Sequence, residues 1–221
     1  MRRLIYLPDL HRPSETEVEP ILPNALKEEL DERSKRIWKL IADHVDASNL
    51  DFSRVRVYFE SVSEEDVRLI SETGALVTED PGPEHLLLEE LHKKGAVIEA
   101  SEDPAIYERQ TALQRVIVDA IKGYGGEASE DEKLNVLFER HDRIDLERDR
   151  AVAAIINRTL TDAEVGILFF GAGHNILAFL DPDITIEVSQ ELLAEIGRCE
   201  LDYEQRFPHL ESLRTGKEAI I

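Results

Sequence analysis

A disulfide framework is closed to this chain, because Cys199 is its single cysteine; a cysteine-based zinc site is excluded on the same ground. Basic charge is scarce. Lys and Arg number 26 against 47 Asp and Glu, for a net charge of −21, and nearly every basic cluster is interleaved with acids. Non-specific binding to a phosphate backbone or an anionic membrane needs a positive footprint, so neither nucleic acid nor membrane is an expected partner. No segment approaches the run of about 18 apolar residues that spans a bilayer. The chain opens on a strand pattern rather than an apolar signal stretch, which makes a cytoplasmic protein the expectation. Repeats and low-complexity linkers are absent as well.

What remains is enough for a folded core under a charged shell: 42% hydrophobic and 33% charged residues over 221 positions. Four short apolar runs read as interior strands of a mostly parallel sheet: Leu4–Leu7, Val55–Phe59, Ala96–Ile98 and Val165–Phe170. A shorter strand, Ile184–Val188, follows Asp181-Pro182-Asp183. Between the first two runs, Leu26, Leu30, Ile37, Leu40, Ile41 and Val45 recur at helical spacing. Ser63 caps a helix with an acidic first turn, and Glu84–Lys94 makes another, ended by Gly95. Helical segments 107–122, 132–138 and 146–160 fill the middle of the chain, and Ser189 caps a last helix reaching about Arg198. The expected fold is therefore α/β: one domain over residues 1–221, with a helical insertion at about 104–160 before the last main strand.

The strand Val165–Phe170 runs straight into Gly171-Ala172-Gly173-His174-Asn175. Its glycines predict a tight turn that sets an imidazole at the strand's carboxyl end, where open α/β sheets build their sites. The first strand has a counterpart in Pro8-Asp9-Leu10-His11, with Pro13 beyond. Imidazole is the common general base and a frequent metal ligand, so His11 and His174 are candidate catalytic residues and candidate ligands for a divalent metal. Alternatively, each merely closes a turn through a backbone hydrogen bond. Glu102, just past the third strand, is the candidate carboxylate to orient a histidine, bind a metal or activate water; its neighbours Glu99 and Asp103 are rivals, and Glu60, after the second strand, has a similar but weaker claim. Arg148 and Arg150, in the run Glu147-Arg148-Asp149-Arg150, are candidates to bind an anionic group of the substrate. The competing reading of that run is a salt-bridged solvent face.

Taken together, Leu4–His11 with Pro13, Val97–Glu102, Glu147–Arg150 and Gly171–His174 resemble, in order, blocks of the superfamily that includes TraB and Tiki proteins, ChaN lipoproteins and erythromycin esterases. Pro8 stands where that superfamily usually has Gly, and Asn175 where it commonly has an apolar residue. The resemblance implies a hydrolase of esters or peptides, metal-assisted in some members, or a binding protein of the same fold.

Two functions follow as expectations. The first is a hydrolase using His11, His174 and Glu102, with an optional divalent metal, on an ester or peptide-like substrate. The second is a non-catalytic domain that binds a small molecule or peptide, or regulates; Pro8 and Asn175 lean toward it. A dinucleotide site is rejected, because Ile176 stands where the third glycine of the fingerprint belongs.

Overall fold

The computed structural model describes residues 1–9, 24–74, 82–124 and 128–206. Five strands form one all-parallel sheet: β1 (Arg2–Asp9), β2 (Val55–Phe59), β3 (Val97–Glu99), β4 (Val165–Gly171) and β5 (Ile184–Val188), in the order β3-β2-β4-β1-β5. The apolar run of β4 takes the centre, pairing Val165–Gly171 with Arg3–Asp9 on one side and Val165–Phe169 with Val55–Phe59 on the other. Because both faces are covered, the central strands are apolar on both: Ile5, Leu7, Val57, Phe59, Ile167 and Phe169 enter one core, and Leu4, Tyr6, Tyr58, Leu168 and Phe170 the other. The third strand departs from expectation. It bonds only to β2 and is therefore an edge, with Val97 exposed, and β5 closes the opposite edge.

Helices α1 (Asn24–Ala47), α2 (Glu64–Thr73), α3 (Pro83–Lys93) and α6 (Gln190–Arg206) supply the first core. Trp38 of α1 packs on Phe59 and Phe169 at centroid distances of 5.8 and 6.1 Å. α2 starts where the sequence indicates: Ser63 and Asp66 form a reciprocal capping box. The other face is covered by the C-terminal half of α5 (Ala128–Thr159), through Val152, Ala153 and Ile156, and by a 3-10 turn at Ile176–Phe179. α4 (Pro104–Lys122) pairs with α5 around Ile106, Leu113, Ile117 and Ile144, the expected helical insertion with a small core of its own.

Helix α5 corrects the sequence reading, which broke it into segments 132–138 and 146–160. It is continuous over 32 residues. Residues 139–145 are strongly charged, but they contain neither Gly nor Pro, and Ile144 packs inward. Arg and Glu are good helix formers, so a charged stretch there is simply the wet side of a helix.

α1 and α2, the helices next in sequence after β1 and β2, pack on one face of the sheet, whereas the 3-10 turn after β4 packs on the other. That divergence makes the carboxyl ends of β1, β2 and β4 the topological switch point of this parallel sheet, the place where open α/β sheets bind ligands.

Candidate active site

Glu60 follows β2 directly, and its backbone N–H extends the ladder by donating to the Phe169 carbonyl at 3.0 Å. Its side chain turns back over the strand ends, where Oε2 accepts from the Gly171 N–H at 2.7 Å. The next residue, Ser61, has φ of 65°, a left-handed conformation unfavourable for a residue with a Cβ. Its N–H donates to Glu102 Oε1 at 3.1 Å, so one carboxylate holds this corner in place. Glu102 is fixed in turn by its own N–H and that of Ser101, both donating to the Val62 carbonyl.

Arg148 and Asp149 enter this corner from α5. Being adjacent, they diverge by about 100° around the helix and reach different partners. Arg148 Nε lies 3.1 and 3.0 Å from the two oxygens of Glu102, Nη2 donates to Glu102 Oε1, and Nη1 donates to Glu60 Oε1 at 2.9 Å. Its guanidinium also stacks over Phe170 and Tyr107, at 5.3 and 5.7 Å from their centroids. Asp149 Oδ2 accepts from the Asn175 N–H at 2.7 Å, while Oδ1 lies 2.6 Å from His174 Nδ1.

His174 completes the cluster. Its N–H donates to the Gly171 carbonyl at 3.1 Å, which forms the turn after β4, and its ring meets Phe170 edge-on at 5.3 Å. Nε2 lies 3.3 Å from Arg148 Nη1 and 3.4 Å from Glu60 Oε1. Burial alone would lower the imidazole pKa, but the bonds from Asp149 and Glu60 outweigh it and push the value up to about 9, against the opposing charge of Arg148. At neutral pH the ring is an imidazolium with Asp149 on Nδ1 and Glu60 facing Nε2. Once deprotonated, Nε2 can accept from Arg148 instead. The His174 side chain is 13% exposed, against 6% or less for Glu60, Glu102, Arg148 and Asp149, so the imidazole is the member that solvent or substrate reaches.

Glu102, His174 and Arg148 thus share one cluster, with Glu60 and Asp149 as further members. His11 lies outside the described residues, two positions beyond Asp9. Arg150 is exposed and stacks over Phe179 at 5.2 Å, with no bond to the cluster among the described residues. Arg148 is the inward arginine, yet its donors are turned to carboxylates of its own chain, which makes it a brace for two strand ends. The strongest signal for Glu60 was its position at the exit of a central strand. Asp149 could be picked out only by knowing which side of α5 faces the sheet.

The donor set is a poor fit for a metal at this point. Both His174 nitrogens face partners, and the Arg148 guanidinium occupies the space between Glu60, Glu102 and His174. A separate trio on α5, His141, Asp142 and Asp145, brings ligand-type atoms within 4.8 Å of one another. There His141 Nδ1 lies 2.9 Å from Asp145 Oδ2, and Gln110 donates to Asp145 Oδ1 at 2.6 Å. A surface concavity of about 560 Å³, lined by Ser63, Glu64, Glu65, Arg68 and Pro104, includes no residue of the buried cluster. No family model, curated protein or solved structure matches this chain.

Proposed function

We propose that the protein is a hydrolase acting on an ester or peptide-like substrate, with His174 as its central acid–base group. The observation that carries this reading is the buried line Asp149–His174–Glu60: Oδ1 to Nδ1 at 2.6 Å, then Nε2 to Oε1 at 3.4 Å, at a switch point of the sheet. Asp149 orients the ring and stabilises its charged form. Glu60 Oε1 takes a proton from water as the water oxygen bonds to the substrate carbonyl carbon. The imidazolium then gives its Nε2 proton to the leaving oxygen or nitrogen as the bond to carbon breaks. Arg148 keeps Glu60 ionised and in place, and Glu102 anchors Arg148. The sequence blocks that resemble the TraB, Tiki and erythromycin esterase superfamily support the same reaction class.

Release of product from a panel of nitrophenyl esters and short peptides tests the reading. Glu60→Gln and His174→Ala should each lower kcat about 100-fold or more, the usual scale of general acid–base catalysis. A wild-type protein inert across the panel, or variants with undiminished turnover, would overturn it.

A non-catalytic ligand-binding domain is the second reading, favoured by the mutual pairing of all five ionisable side chains in the cluster. In that case the same substitutions lower stability, and turnover is absent throughout.

A further inference from the structure

Tyr6 lies on β1 within the core that faces α5, and is 7% exposed. Among the described residues its hydroxyl reaches two acceptors, the backbone carbonyls of Phe170 and Gly171, each at 3.4 Å. Hydroxyl bonds are ordinarily about 2.7–2.8 Å, so neither carbonyl holds the proton well. The Gly171 carbonyl already accepts from the His174 N–H at 3.1 Å. The contrast with Tyr58 on the neighbouring strand is direct: its hydroxyl sits 2.8 Å from Thr159 Oγ1, as a buried phenol normally would. The two carbonyls near Tyr6 begin the turn that carries His174, and the phenol lies within the electrostatic reach of Asp9, Glu60 and Asp149. Burial first, and those three carboxylates second, hold the phenol proton on at any pH where the enzyme works. The residue is therefore a permanent, poorly committed donor beside the acid–base pair.

We infer that Tyr6 is a further catalytic residue, whose hydroxyl donates to the substrate carbonyl oxygen and stabilises the negative charge that develops there when water adds. The inference rests on the hydrolytic reading of the same site. No proton leaves Tyr6 in this step; its hydrogen bond shortens as the accepting oxygen becomes more basic in the transition state.

Tyr6→Phe removes the hydroxyl alone, and Tyr58→Phe serves as the structural control. Tyr6→Phe should lower kcat about 100-fold with little change in KM, the scale for loss of one oxyanion donor, while its unfolding midpoint stays at the wild-type value. Tyr58→Phe should do the reverse, losing stability and keeping kcat. A Tyr6→Phe protein with wild-type kcat, or one that loses activity and stability together, overturns the inference. A binding measurement separates its failure from that of the hydrolase reading. Trifluoroacetophenone, a carbonyl compound with no hydrolysable bond and a tetrahedral hydrate, is titrated by fluorine NMR. It should bind wild type and Tyr58→Phe at least tenfold more tightly than Tyr6→Phe. If wild type turns over no ester or peptide yet shows this difference, the hydrolase reading fails and the donor role of Tyr6 stands. Equal affinity in wild type and Tyr6→Phe, or no binding to wild type, overturns the donor role.

Discussion

Raising the pH from 6 to 10 should weaken the folded state by about 3 kcal/mol through His174 alone. The unfolded imidazole titrates at 6.5 and the folded one at about 9, and each pH unit between them is worth about 1.4 kcal/mol. The folded state binds the proton more tightly, so the contribution is fully present below pH 6.5. It declines as pH rises and is lost above about 9. Its source is the pair of carboxylates on either side of the ring, which together overcome both the burial of the charge and the repulsion from Arg148. Because the side chain is 13% exposed, solvent screening removes little of it. The assay is urea unfolding of wild type and His174→Gln at half-unit steps from pH 6 to 10. The other ionisable groups are common to both proteins and cancel in the difference. Glutamine cannot carry the proton, so wild-type stability minus variant stability should fall by about 3 kcal/mol across the window. A difference that stays constant from pH 6 to 10 would refute the reasoning, since it would mean that folding does not alter the affinity of His174 for its proton.

Arg148→Met should destabilise by about 3–5 kcal/mol in the same assay, because Glu60 and Glu102 would remain buried without their cation. Arg148→Lys should lose less, since a single ammonium can serve one of the two carboxylates; a lysine variant as stable as wild type would show that the bidentate geometry contributes nothing. The glycines offer an independent check by thermal melts. A Cβ on Gly166 would lie 2.6 Å from Leu4 Cδ1 and 3.2 Å from Leu160 Cδ2, both in a filled core, so Gly166→Ala should lose about 1–3 kcal/mol. A Cβ on Gly173 would meet nothing within 4 Å and its φ is not left-handed, so Gly173→Ala should melt at the wild-type temperature.

The Gly173 expectation reverses what the Gly171-Ala172-Gly173 run implies when read as a string. Two glycines before a histidine suggest a turn that only glycine permits, whereas the observed turn asks neither for positive φ nor for space at Gly173. Local pattern could announce a turn at that point, but not which of its residues the backbone constrains. Strand β4 shows the opposite case: Val165–Phe170 is so uniformly apolar that only a strand covered on both faces suits it, and it is the central one. The three apolar residues Ala96–Ile98 read as an interior strand, but the apolar character of a short run does not report how many neighbours it will have. The break inferred within α5 failed for a related reason. Charge shows which side of a helix is wet, whereas Gly and Pro, absent from residues 139–145, show where a helix ends.

By itself, then, the sequence determined the α/β class, the strand exits on which Glu60, Glu102 and His174 stand, and the net charge of −21. These are properties of short windows and of composition, where hydrophobic period and turn chemistry act over a few residues. Only the tertiary structure decided that Arg148, not Arg150, turns inward, that Glu102 answers that arginine, and that Asp149 holds the imidazole. Those choices depend on the angle at which α5 crosses the sheet, because a rotation of one residue, about 100°, would exchange the buried and wet sides of a run of alternating charges. No window of the sequence contains that angle; it is set by Val152, Ala153 and Ile156 packing against Leu4, Leu168 and Phe170.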